Sequence, residues 1–184
     1  LIQFFVDDLG SRHLSHRTGY TGNSNIDTNI LSAWLKRRGV NDTLITRALR
    51  QLDSAAALGE GKKLYYANKE VYRLLRYGVK DKEGAGEQNQ TVWLIDWANP
   101  QANDFAITDE VTVKGEYCKR PDLVLYVSGI ALGVIELKRS SVHVSEGIRQ
   151  NLDNQKKTFI RDFFTTMQLV MAGNDTQGLR YGTI

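Results

Sequence analysis

Several residue types that mark whole protein classes are scarce in this chain. One cysteine, Cys118, stands among 184 residues. No internal disulfide is possible, so a reducing compartment such as the cytoplasm is expected. The three histidines are His13, His16 and His143. With a single cysteine beside them they are too few for a zinc site. No apolar run approaches the roughly 18 residues of a membrane span. The opening LIQFFVDDLG lacks a basic start and meets acids at once, so it is not expected to be a signal peptide. A GxxxxGKS/T phosphate loop is missing. The nearest cluster, GEGKK at 59–63, has the wrong spacing and precedes no suitable helix. Internal repeats and low-complexity tracts are also missing.

What remains is an ordinary globular composition: 41% hydrophobic, 24% charged, net charge +3. It supports one domain with a real core, and its mild basicity permits a polyanionic partner. The first residue is Leu1 rather than Met, so a trimmed piece of a longer chain is expected. Residues 10–26 are polar and Gly-rich and read as loop. Asp27 or Thr28 caps a helix ending at Gly39. Asn41 or Asp42 caps a second, which ends near Gly59 with Leu44, Ala48, Leu52 and Ala55 at core spacing. A third follows Asn68 and stops at Gly78. From residue 91 the texture turns to strands: TVWLIDW, FAITDEVTV, and the pair within RPDLVLYVSGIALGVIELKRS. Residues 145–164 read as an amphipathic helix capped by Ser145, with Ile148, Leu152, Phe159 and Phe163 as its apolar stripe. QLVMAG and LRYGTI close the chain as strands. The order predicts an α/β or α+β sheet with helices on its faces.

Two apolar strands at 120–140 carry charge at their ends. Glu136 and Lys138 share a face of one strand. A three-residue loop, 128–130, would pair residue 127 with 131 and set Asp122 opposite Glu136. A two-residue turn would set it opposite Ile135. Facing carboxylates repel unless a cation lies between them, and Mg²⁺ suits a site of few carboxylates completed by waters and phosphate. Lys138 adds a cation that can steady developing phosphate charge or orient a water. The spacing alone arises by chance in roughly one chain in fifteen of this size. It reads equally as a turn aspartate plus an exposed Glu/Lys pair.

The same run, followed by SEGIRQNLDNQKKTFIRDFFTTMQLVMAGNDTQGLRYGTI, resembles the N-terminal nuclease domain of the R (restriction) subunit of type I restriction enzymes. NKEVYRLLRYGVK and VWLIDWANPQANDFAITDEVTVKG resemble it too, so the likeness runs from about residue 25 to the end. It implies a PD-(D/E)xK endonuclease with a restriction-endonuclease-like mixed central β-sheet flanked by helices. Residues 1–184 would form a single domain, helical at about 27–78, with the nuclease core at about 91–184. Asp122 and Glu136 would bind Mg²⁺ and Lys138 would be the catalytic lysine; the Leu137 carbonyl is a candidate third ligand. Family members often carry an acid on the first core helix. Asp27 matches that place loosely and reads equally as a helix cap. Related domains often have Gln, three residues, then Tyr on the following helix. Gln150 matches, but Asn154 holds the Tyr position.

At 100° per residue, Gln150, Asn154, Lys157 and Arg161 form a polar line. This is a solvated face or a DNA-facing ridge, with Arg139 and Arg149 as further candidate phosphate contacts. The resemblance further implies double-stranded DNA as substrate, specificity and methylation subunits as partners, and an ATP-driven translocase C-terminal to this domain, so that ATP belongs outside these residues. The chain's strand-like end agrees with truncation. A repair nuclease of the same fold, or a non-catalytic DNA-binding or assembly module, are the alternatives. Cys118 is expected to be structural. Arg12 and Arg17 touch DNA or lie in a disordered loop. Trp34, Trp93 and Trp97 are expected in the core. A platform for unstacked bases would instead need them exposed on one surface.

Overall fold

In the computed structural model, residues 1–14, 25–109, 111–113 and 117–184 are described. His16, Arg17 and most of the 10–26 loop lie outside them.

Local capping chemistry sets the first two helices. Asp27 accepts from the Ile30 N–H (2.9 Å) and opens α1, Thr28–Arg37. Asn41 accepts from the Leu44 N–H (2.8 Å) and opens α2, Asp42–Ala56. The third helix, α3, spans Leu64–Tyr77 and starts before the predicted cap. Asn68 lies inside it and is buried. Its amide donates to the carbonyls of Phe164 (3.3 Å), Thr165 (3.3 Å) and Met167 (2.6 Å). Tertiary acceptors satisfy the amide, so the capping preference loses. Leu31, Leu35, Ala48, Leu52, Val71 and Leu74 meet in the core of this helical layer.

The layer also holds a small antiparallel pair, β2 (Val79–Asp81) with β3 (Gln90–Val92). The predicted strand over 91–97 is therefore cut short. Asp96 accepts from the N–H groups of Ala98 (3.1 Å) and Asn99 (2.9 Å), which turns the backbone away from a ladder.

The main sheet has six strands in the order β1-β4-β5-β6-β7-β8. In chain order these are β1 (Arg12–His13), β4 (Phe105–Asp109), β5 (Leu123–Val127), β6 (Ile130–Leu137), β7 (Leu169–Asn174) and β8 (Gly178–Gly182). Strands β4, β5 and β6 are antiparallel neighbours, β6 and β7 are parallel, and β7 and β8 form a hairpin. The fold is thus a mixed sheet with helices, consistent with a restriction-endonuclease-like architecture, and its helical part comes first.

Helix α4, Val144–Asn154, crosses between β6 and β7. It departs from expectation in three ways. Its cap is His143, whose imidazole accepts from the Ser145 N–H (3.2 Å). It ends ten residues early, because the Asn154 carbonyl accepts from Ile160 N–H (3.2 Å) and the chain turns. A short 3-10 segment, Arg161–Thr165, follows. The first half of the predicted apolar stripe is also turned outward, although Phe163 beyond the helix is buried. Ile148 and Leu152 are 40% and 59% exposed, whereas Val144, Gly147, Asn151 and Asn154 are buried. Gly147 permits this, since a Cβ there would come within 3.0 Å of the Ala172 Cβ. Asn151 fastens the helix to β7 by donating to the Met171 carbonyl (2.9 Å).

Among the described residues no helix is long and apolar enough to cross a membrane.

Candidate active site

The β5–β6 hairpin places the acids. Its turn is two residues, with Val127 opposite Ile130. Ser128 (φ 50°) and Gly129 (φ 87°) both take positive φ, which matches the strand twist of a type I′ turn. A straight ladder from that turn would set Asp122 against Ile135. The register instead shifts between Leu125 and Tyr126, so Leu123 pairs with Ile135 and Asp122 comes level with Glu136. A bulge, not a longer loop, creates the facing acids.

Asp122 accepts from the Leu137 N–H (2.7 Å). Glu136 is fully buried. Its Oε2 accepts from Gln150 Nε2 (2.7 Å) and lies 3.9 Å from Lys138 Nζ. Its Oε1 is buried with no hydrogen-bond partner. Lys138 Nζ donates to Gln150 Oε1 (2.6 Å), while its backbone N–H holds the Gly173 carbonyl (2.9 Å). The Gln150 amide thus bridges acid and amine. Burial, first, and then the adjacent Asp122 carboxylate push the Glu136 carboxyl up to about 8, against the pull of Lys138 and Lys119.

The other candidates scatter. Asp27 caps α1 at the turn end of the hairpin, where its N–H donates to the Gly129 carbonyl (2.7 Å). Six residues of β6, roughly 20 Å, separate that end from Glu136. Asp27 is therefore too distant to share a cation with it. Leu137 ends β6 between Glu136 and Lys138, with its side chain exposed. Arg139 and Lys157 are exposed. Arg149 is engaged by Glu146 (3.2 Å from Nε) and Asp153 (3.6 Å) on its own helix. Arg161 lies beyond the helix end with its Nε buried and unpartnered, so the polar line through 150, 154, 157 and 161 does not form. Asn154 is buried. Cys118 is exposed. Arg12 grips Asp104 through two hydrogen bonds (2.9 and 2.7 Å). Trp34 is buried, but Trp93 and Trp97 are not, contrary to expectation.

Sequence reasoning missed Lys119, whose charge reaches Glu136. The only signal for it is its place three residues before Asp122. It also missed Gly147 and Asn151, which seat α4 over the site. Among the described residues no group of three or more His, Cys, Asp or Glu could hold a metal. Two carboxylates, a buried oxygen without a donor and one lysine are what the site offers.

Comparisons with known proteins give the chain's family. The chain matches the family described as "Type I restriction enzyme R protein N terminus" over residues 1–184. A protein of Methanocaldococcus jannaschii, provisionally named type I restriction enzyme MjaIXP endonuclease subunit, is 28% identical over 120 residues, covering 61% of this chain and 11% of its own length. The type I restriction enzyme SsaAORF53P endonuclease subunit of Staphylococcus saprophyticus is 32% identical over 72 residues, covering 39% of this chain and 8% of its own. The chain spans about a tenth of the length of these relatives.

Proposed function

The chain belongs to the type I restriction enzyme R protein N-terminal family, and from that premise we propose that it is the DNA-cleaving domain of such a subunit, hydrolysing phosphodiester bonds with Mg²⁺. The observation that carries the reading is the convergence of Asp122, Lys138 and Gln150 on the buried Glu136 carboxylate, one oxygen of which has no donor.

The donor set fits the ion. Glu136 Oε1 is buried and without a donor, and a second carboxylate stands beside it. A buried anion in that state requires a proton or a cation. Mg²⁺ commonly takes one or two carboxylates and completes its shell with waters and phosphate oxygens. Asp122 and Glu136 would hold it, with the Leu137 carbonyl as a third ligand. When bound it supplies Lewis acidity toward the phosphate and an activated water.

The protein's own groups do the positioning. The Asp122 carboxylate is aimed by the Leu137 N–H. Gln150 keeps Lys138 Nζ within reach of the scissile phosphate rather than collapsed onto Glu136. There the ammonium donates to phosphate oxygen as charge develops, or orients the attacking water. No covalent enzyme intermediate is required. Double-stranded DNA is the substrate of this reading, and specificity and methylation subunits complete the complex. ATP would act in a translocase elsewhere in the longer subunit.

The test is nicking of supercoiled plasmid with Mg²⁺ by wild type, Glu136→Ala and Lys138→Ala, beside calorimetric Mg²⁺ titration of wild type and Asp122→Ala. The expected result is cleavage and binding by wild type and loss in the variants. Cleavage that survives both substitutions removes this site.

A further inference from the structure

Two of the three tryptophans are half outside the core. Trp93 and Trp97 are 48% and 49% exposed. With Tyr77, Arg38, Arg76 and Asp96 they line one open cavity of about 550 Å³. The Trp97 indole N–H donates to the Leu75 carbonyl (2.8 Å), which fixes its ring at the end of α3. The Arg76 guanidinium lies 5.5 Å from that ring's centroid. Asp96 is compensated by Arg38 (2.7 Å) and by two backbone N–H groups.

The exposed face of α3 continues the same chemistry. Tyr65, Lys69, Tyr72 and Arg76 fall at i, i+4, i+7 and i+11 and so form one line; Tyr66, Arg73 and Tyr77 flank it, and all are exposed. The only acid on this helix, Glu70, pairs with Arg73 at 3.3 Å. Eleven residue steps give the line a length of about 17 Å.

So many exposed rings in one place mark an interaction surface. The interleaved cations select a polyanion over an apolar protein. Ring faces stack only on bases whose own faces are free, and those of a closed duplex are covered. We propose that α3 and the Trp93–Trp97 cavity form a binding track for unpaired nucleic acid. Bases stack on the exposed rings, and phosphates meet Lys69, Arg73 and Arg76. The track belongs to the helical layer, which joins β6 at Ile130, roughly 20 Å along the strand from Glu136. The inference extends the reading of DNA as substrate, but binding is measured here without cleavage.

The probe is a fluorescent 20-nucleotide oligo-dT, titrated with the 184-residue protein in EDTA and followed by anisotropy and tryptophan emission. Wild type is expected to bind and its emission to be quenched. Trp93→Ala should bind about tenfold more weakly. Trp97 also braces α3, so the double variant Tyr65→Ala/Tyr72→Ala on the open helix face is the paired test, with the same loss expected. Lys69→Gln/Arg73→Gln/Arg76→Gln should lower the slope of log affinity against log salt by about 2. Circular dichroism confirms folding of each. Glu136→Gln should bind as wild type does. Absence of oligo-dT binding overturns the proposal. So does wild-type affinity in the aromatic variants, or an equal loss on a duplex of the same length, which would leave phosphate contact alone. If plasmid nicking fails while oligo-dT binding behaves as stated, the cleavage reading falls and the track stands.

Discussion

Replacing Glu136 by Gln should stabilise the metal-free protein while abolishing cleavage. The Glu136 carboxyl is raised from 4.5 to about 8 by burial and by Asp122. A group whose pKa is higher in the folded state favours folding fully below 4.5 and loses that contribution as pH rises toward 8. Each unit of the shift is worth about 1.4 kcal/mol, so by pH 7.5 the metal-free fold has lost on the order of 4 kcal/mol of that contribution. Gln stays neutral throughout, and its carbonyl still accepts from Gln150 Nε2. For a chain of this size that difference is about 8–16 °C in Tm. Thermal unfolding of both proteins in EDTA at pH 5 and pH 7.5 checks it. The curves should nearly coincide at pH 5 and separate at pH 7.5, wild type lower. Adding Mg²⁺ at pH 7.5 should raise wild type and leave the variant unmoved. Parallel pH profiles in EDTA would refute the claim that the fold disfavours the ionised Glu136 carboxylate.

Three further outcomes follow from the packing. Gly129→Ala should cost more than about 2 kcal/mol in urea unfolding, because φ is +87° and the new Cβ would stand 2.8 Å from both the Asp27 carbonyl oxygen and the Leu31 nitrogen. Asn68→Ala should cost about 1–3 kcal/mol, since the carbonyls of Phe164, Thr165 and Met167 lose their shared donor; the same urea measurement reads it. Gly147→Val should leave the protein folded by circular dichroism but slow nicking by about 10²-fold, because a lift of α4 off Ala172 carries Gln150 away from Glu136 and Lys138.

Legibility in the sequence followed the range of the forces. The caps at Asp27 and Asn41 are local chemistry and were readable, as was the strand pair around Ser128 and Gly129. The level of Asp122 with Glu136 was reached for a reason the sequence hides: the turn is short and a bulge after Leu125 restores the offset. Nothing in LVLYVSGIALGVIE marks which residue bulges. The helix at 144–154 was found but turned the wrong way. A hydrophobic stripe identifies the buried face only where the partner surface is apolar. Here Gly147 seats on Ala172, Asn151 donates to the Met171 carbonyl and Gln150 reaches Glu136 and Lys138, so polar residues face inward and Ile148 and Leu152 face out. Trp93 and Trp97 were misread on the same default, that large rings lie in cores.

Strand β6 separates what stabilises the molecule from what it does. At its first end the hairpin is stapled to the segment that opens α1 and to the residue before β4: Ala131 N–H to the Asn25 carbonyl (2.8 Å), Asp27 N–H to the Gly129 carbonyl (2.7 Å), and Ser128 N–H to the Asp104 carbonyl (2.7 Å). Thr166 adds a hydroxyl to the Ala131 carbonyl (2.7 Å). Every buried group named there has its partner. At its last end the strand carries Glu136, with an oxygen lacking any donor. One strand can carry both because β-pairing is rigid over its length: the satisfied end, together with the ladders to β5 and β7, fixes the unsatisfied one. A carboxyl that no well-packed core would choose to bury is thereby held in place.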